Sequence, residues 1–130
     1  GEYDITEAMN MMLKHNIKIR NYFCKEFIDC GTIDGLTKGL KYILNFNNRK
    51  SSFSDSLTTV NPCYIGQYCS FGKNVLLGPY SSIENNVSIG DNVEIKNSII
   101  LDNSIISSNN VISNSIISKN AIISKDDNIL

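Results

Sequence analysis

The sequence predicts a parallel β-helix preceded by a small α/β segment, and three observations predict it. An apolar residue recurs every six positions at Ile65, Phe71, Leu77, Ile83, Ile89, Ile95 and Leu101, which is too long a run to arise by chance. Glycine follows it at Gly66, Gly72, Gly78 and Gly90, and a small or branched residue stands four positions on at Cys69, Val75, Ser81, Val87, Val93, Ile99 and Ile105. Composition then changes along the chain: residues 1–47 carry Met, Leu, Lys, Tyr and Phe at helical spacing, whereas residues 56–130 are rich in Ile, Ser, Asn, Val and Gly. The chain therefore divides into an α/β segment (1–47), a polar linker (48–55) and a β-helix (56–130).

In the first segment, Ile5, Ala8, Met9, Met12 and Leu13 follow the i, i+3, i+4, i+7, i+8 pattern of one helix face. Asp4 is placed to cap that helix, Glu7 completes a capping box, and Asn16 sits at its C-terminal stop. Alternation over Ile17–Phe23 predicts a strand with one wet face, and Glu26–Asp29 a second, shorter one. Cys30-Gly31-Thr32 predicts a turn in which Gly31 supplies the tight bend. Thr32 then caps a helix carrying Ile33, Leu36, Leu40, Ile43 and Leu44 on one side. Polar pairs over Asn45–Asp55 read as the linker.

In the second segment, a period of six fits neither a 3.6-residue helix nor a simple alternating strand. It fits one flat side of a triangular coil, three sides to the coil, with successive coils stacked through parallel strands. Each inward Ile or Val is then covered above and below, for roughly 1.5–3 kcal/mol per side chain. Ile65, Leu77, Ile83, Ile89 and Ile95 are expected inward in three or four coils between about Thr59 and Ile123. Beyond Leu101 the register blurs: Ser107, Ser113 and Lys119 fall on the apolar beat, while Val111, Ile117 and Ile123 keep the fourth position. Coils are expected to continue there with shifted corners. Asn103, Asn109, Asn114 and Asn120 are placed to satisfy turn backbone groups, an architectural role.

Twelve basic and thirteen acidic residues leave a net charge of −1, which gives no footprint for nucleic acid or an anionic membrane. No apolar run reaches the ~20 residues of a bilayer span, and the first residues do not form a basic and apolar leader. A cytoplasmic location is expected. Cys24, Cys30, Cys63 and Cys69 form no C-x-x-C pair and lie far from the single histidine, His15, so free thiols are expected rather than a zinc site.

The [LIV]-G-x-x-x-x hexapeptide resembles that of left-handed β-helix proteins, and the handedness is implied by that resemblance. Gly1-Glu2-Tyr3-Asp4-Ile5-Thr6-Glu7 is similar to the G-E-x-x-[IL]-T-[DE] segment of sugar-1-phosphate nucleotidyltransferases. Phe27-Ile28-Asp29-Cys30-Gly31-Thr32 resembles their W-x-D-x-G-T turn. Ile65-Gly66-Gln67 and Leu77-Gly78-Pro79-Tyr80-Ser81-Ser82-Ile83 are similar to the first coils of long-form glucose-1-phosphate thymidylyltransferases and GDP-mannose pyrophosphorylases.

The resemblance implies a left-handed β-helix behind a remnant of the nucleotidyltransferase domain. The activity it implies joins a nucleoside triphosphate and a hexose 1-phosphate into a nucleotide sugar with loss of pyrophosphate. It further implies Asp29 as a ligand of catalytic magnesium and Glu2 beside the sugar pocket. Phe27 or Ile28 stands in place of the family's tryptophan, which leaves the nucleotide and sugar open. The G-x-G-T-R phosphate loop is not in this sequence, so the chain alone is expected to lack catalytic residues and activity, and to begin in the middle of a longer protein.

Three other functions compete. A hexapeptide-repeat acyltransferase needs a histidine base in the β-helix, where this chain has none, and a carbonic anhydrase of this shape needs three. The third is an assembly or regulatory module without chemistry, for which a homo-oligomer is expected, a dimer or trimer held by Ile100, Ile106 and Ile112.

Overall fold

The computed structural model of the protein describes residues 4–46, 56–125, 127 and 129. Two helices come first, α1 (Ile5–Lys14) and α2 (Ile33–Phe46), followed by twelve short strands. The predicted linker, 48–55, lies outside the described residues.

The strands wind into four coils of three sides. They are β1 (Leu57–Thr59), β2 (Cys63–Ile65) and β3 (Ser70–Phe71); β4 (Val75–Leu77), β5 (Ser81–Ile83) and β6 (Ser88–Ile89); β7 (Glu94–Lys96), β8 (Ile99–Ile100) and β9 (Ile105–Ile106); β10 (Val111–Ser113), β11 (Ile116–Ile117) and β12 (Ile122–Ile123). Each side of the solenoid is one four-stranded sheet, β1-β4-β7-β10, β2-β5-β8-β11 or β3-β6-β9-β12, with parallel pairing throughout. Ile129 bridges to Ile112 and continues the first sheet past the fourth coil.

Every side turns two residues inward, one at the corner and one two positions on. Val75 and Leu77, Val87 and Ile89, and Val93 and Ile95 are such pairs, all at most 2% exposed. Leu77, Ile83, Ile89 and Ile95 lie in the core as expected, and Ile65 packs against it half-buried.

The register pairs explain why the repeat blurs. Leu77 stacks on Ile95 and Ile83 on Ile100, so the first coils are eighteen residues apart on the first side, and the second side of the third coil arrives one residue early. Ile100 then stacks on Ile117, Ile106 on Ile123 and Ile112 on Ile129, seventeen residues apart each time. The loss falls at one corner. Between the first and second sides, six-residue steps run from Thr59 to Ile65 and from Leu77 to Ile83, and five-residue steps run from Ile95 to Ile100 and from Ile112 to Ile117. The six-residue corners contain the cis peptide bonds Asn61-Pro62 and Gly78-Pro79. The five-residue corners turn on Asn97 and Asn114, both at positive φ.

Three sequence expectations are corrected by this slip. Leu101 is not an inward residue, Ile105 faces out, and Ile100, Ile106 and Ile112 are buried in the core at 0%, 1% and 0% exposure instead of lining an outer contact.

Asparagine sits at the left-handed corner position of Asn74, Asn86, Asn92, Asn97, Asn103, Asn109, Asn114 and Asn120, where its short polar side chain tolerates positive φ. These side chains stack between coils: Asn74 Nδ2 donates to Asn92 Oδ1 at 3.0 Å, Asn92 to Asn109 at 3.1 Å, Asn103 to Asn120 at 3.1 Å, and Asn97 to Asn114. A second ladder runs beside the first. Asn85, Asp91, Asp102 and Ser108 accept from the backbone N–H of Gln67, Lys73, Asn85 and Asp91 in the coil before.

Gly66, Gly72 and Gly90 make room for that ladder. A Cβ on Gly72 would lie 2.6 Å from the carbonyl carbon of Gly90 in the next coil, and only Gly78, at φ +95°, uses the left-handed region.

Residues 4–46 fold more sparsely. Asp4 caps α1 by accepting from Thr6 N–H at 2.8 Å, and Asn16 at φ 58° ends it. The predicted strands Ile17–Phe23 and Glu26–Asp29 are not formed: that stretch carries no ladder, because every strand among the described residues pairs within the solenoid. Alternation gives an amphipathic segment, but a strand also needs a neighbour. Helix α1 buries no residue, and of the apolar residues expected inward on α2 only Leu44 is buried.

Candidate functional site at the turn before the second helix

The turn at 28–32 is built from local hydrogen bonds. Asp29 Oδ1 accepts from Gly31 N–H at 2.8 Å, folding the chain back over two residues. Gly31 itself does not use positive φ, so the carboxylate, not the glycine, makes the bend. Thr32 caps α2 as expected: its Oγ1 accepts from Gly35 N–H at 3.0 Å, and its carbonyl accepts from Leu36 N–H at 2.9 Å. The helix can lie this close because Gly35 and Gly39 lack side chains. A Cβ on Gly35 would meet the Asp29 carbonyl carbon at 2.8 Å, and one on Gly39 would meet Cys30 Sγ at 3.2 Å.

A depression of about 260 Å³ opens over this turn, lined by Phe27, Ile28, Asp29, Thr32, Asp34, Gly35 and Lys38. Asp34 and Lys38 are paired one helical turn apart at 2.7 Å, and Asp34 raises the Lys38 ammonium pKa through that hydrogen bond and its charge. The i,i+4 spacing of this pair was visible in the sequence, but its place beside Asp29 depends on the turn.

Asp29 is thus held in a defined orientation with its other oxygen, Oδ2, outside that hydrogen bond. Magnesium often takes only one or two protein carboxylates and completes its octahedron with phosphate oxygens and water, so Asp29 fits as one donor of such a site. No cluster of three or more His, Cys, Asp or Glu occurs among the described residues, so they do not enclose a metal by themselves. Glu2 lies outside the described residues. His15 forms the C-cap of α1, away from the solenoid strands in sequence, and the four cysteines are unpaired, Cys63 buried and Cys69 half-buried.

On the solenoid, the outward residues of the third sheet are Ser70, Ser88, Ile105 and Ile122, stacked in register. The two isoleucines are 46% and 69% exposed, which makes the outer surface of the last two coils apolar on that side. No helix among the described residues is long and apolar enough to cross a membrane.

No curated protein and no solved structure matches the chain. The family model described as GMPPB C-terminal domain matches residues 59–129, which spans the solenoid from the end of its first strand to its last bridge. More than half of the chain falls within that match, and the stacked parallel coils occupy the same residues. The chain belongs to the GMPPB C-terminal domain family and carries the C-terminal part of a sugar-1-phosphate nucleotidyltransferase.

Proposed function

We propose that this chain closes an enzyme that joins a nucleoside triphosphate to a hexose 1-phosphate, releasing pyrophosphate, with residues 1–47 forming the end of its catalytic domain and the solenoid serving assembly or regulation. The observation that carries this reading is the family match over 59–129, which follows in sequence a turn that holds one oriented carboxylate at Asp29. Asp29 would ligate magnesium in the complete enzyme and Glu2 would stand near the sugar. When bound, magnesium offsets the charge of the phosphates as the sugar phosphate oxygen attacks. The work of this chain's own residues is positioning: Gly31 N–H fixes the Asp29 carboxylate, and the Thr32 cap fixes the helix behind it.

The test uses the native gene product with magnesium, nucleoside triphosphates and hexose 1-phosphates, read by pyrophosphate release. Asp29→Asn keeps an acceptor for Gly31 N–H and removes the charge, so it is expected to fold normally and to lose turnover by orders of magnitude. The 130-residue chain alone is expected to release none. Wild-type turnover in Asp29→Asn would remove the metal role, and turnover by the chain alone would remove the division of labour.

Assembly is supported by the stacked, exposed Ile105 and Ile122. A dimer or trimer is expected in solution, because identical chains usually associate with closed symmetry. Light scattering at micromolar concentration that reports only monomer mass would refute it. The enzyme would work in the cytoplasm.

A further inference from the structure

We infer that Tyr80, on the solenoid, is a positioning residue for the Asp29 turn, acting through α2. The inference rests on the proposed role of Asp29 for its functional meaning, but its geometry stands apart from that role.

Helix α2 has two working faces. Gly35 and Gly39, one turn apart, lie against the 28–30 turn: a Cβ on Gly35 would collide with the Asp29 backbone, and one on Gly39 would stand 3.2 Å from Cys30 Sγ, a contact the thiol must yield to. On the opposite side of the helical wheel stand Leu40, Lys41 and Leu44. Leu44 is the only buried apolar residue of the segment before the solenoid among the described residues. Lys41 Nζ lies over the ring of Tyr80 at 5.7 Å from its centroid, a cation–π contact between α2 and the second coil.

Tyr80 occupies the left-handed position, φ 59°, of the six-residue corner Gly78-Pro79-Tyr80, where the five-residue corners of the next two coils place Asn97 and Asn114. Its own N–H donates to Pro62 O at 2.7 Å in the first coil, so its backbone is fixed to the stack. A rigid corner therefore presents an aromatic ring to one face of α2, while the other face of α2 holds the turn that orients Asp29. Shifting the helix at Lys41 moves Gly35, and with it the carbonyl of Asp29.

The experiment is hydrogen–deuterium exchange on the 130-residue chain, which needs no activity. The amides of Gly31, Gly35 and Leu36 report the turn, since they are bonded to Asp29 Oδ1, Thr32 Oγ1 and Thr32 O. Tyr80→Ala and Lys41→Met are each expected to speed exchange at these three amides by about two- to fivefold, the range one such contact supports. Tyr80→Phe keeps the ring and is expected to match the wild type. Solenoid amides such as Leu76 and Ser88 serve as the control and should stay protected in all variants. Unchanged exchange at 31–36 in Tyr80→Ala would overturn the inference. So would equal acceleration in Tyr80→Phe. Loss of solenoid protection in Tyr80→Ala would leave Lys41→Met, which does not touch the corner backbone, to decide. Failure of the catalytic reading would show instead as wild-type pyrophosphate release by the native gene product carrying Asp29→Asn, with exchange in the 130-residue chain responding as described.

Discussion

At the scale of single residues, inward and outward isoleucines next to each other in sequence differ completely in environment. Ile89 is 2% exposed in the middle of the core, so Ile89→Ala is expected to cost about 2–5 kcal/mol through lost contacts and a cavity. Ile105→Ala, on the outer surface, should stay within about 0.5 kcal/mol in the monomer. Urea denaturation of the two variants checks the contrast. The thiols give a second residue-scale test. Cys24 and Cys30 are exposed, whereas burial pushes the pKa of Cys63 and Cys69 up from the ordinary 9.0. A disulfide reagent should label the first two rapidly and Cys63 slowly. Because the folded pKa values lie above the unfolded ones, the stability these neutral thiols contribute is complete below pH 9.0 and declines as pH rises through that value toward the folded pKa. Replacing both Cys63 and Cys69 with Ala should flatten the alkaline limb of a melting-temperature profile. At this scale the sequence was informative where the period held: Leu77, Ile83, Ile89 and Ile95 were legible as core. Ile100, Ile106 and Ile112 were not, since a one-residue loss upstream exchanges inside for outside and leaves no mark in composition.

At the scale of elements, the corners hold the coils together as much as the sheets do. Asn92 combines a left-handed backbone with a donor and an acceptor role in its ladder, receiving from Asn74 and giving to Asn109. Asn92→Ala is expected to cost about 1–2 kcal/mol for the backbone conformation, with the lost hydrogen bonds added. Asn92→Gly keeps the conformation and loses only the ladder, so its smaller cost isolates the side-chain part. Thermal melts of the two variants give that split. Helix ends were legible because capping is local: Asp4, Asn16 and Thr32 act within three residues of themselves. The strands expected at 17–29 were not, because pairing is decided by what lies alongside, and alternation carries no information about that. The turn at Cys30-Gly31-Thr32 and its Thr32 cap were legible from the residues themselves, whereas the role of Asp29 came only from the resemblance to a family motif. Its partners Asp34 and Lys38 enter the depression through helix geometry that a linear reading does not assemble.

At the scale of the whole molecule, the solenoid is a stack in which each coil touches only its neighbours, so a change of length at one corner need not travel. The corner between the first and second sides already occurs with six residues in two coils and five in two others, and the sheets stay in register through both. Inserting one Gly after Lys96 is therefore expected to leave circular dichroism intact and the melting temperature within a few degrees. The same insertion after Ser108, at a corner that keeps its length in the first three coils, should turn Val111 inward and Ile112 outward and lower the melting temperature sharply. An unfolding transition equal for both insertions would argue against local length tolerance. The first corner is thus a place where a gene can drop or gain a codon and still encode the same barrel of stacked triangles, and lineages of such proteins would be expected to differ in length there while agreeing everywhere else.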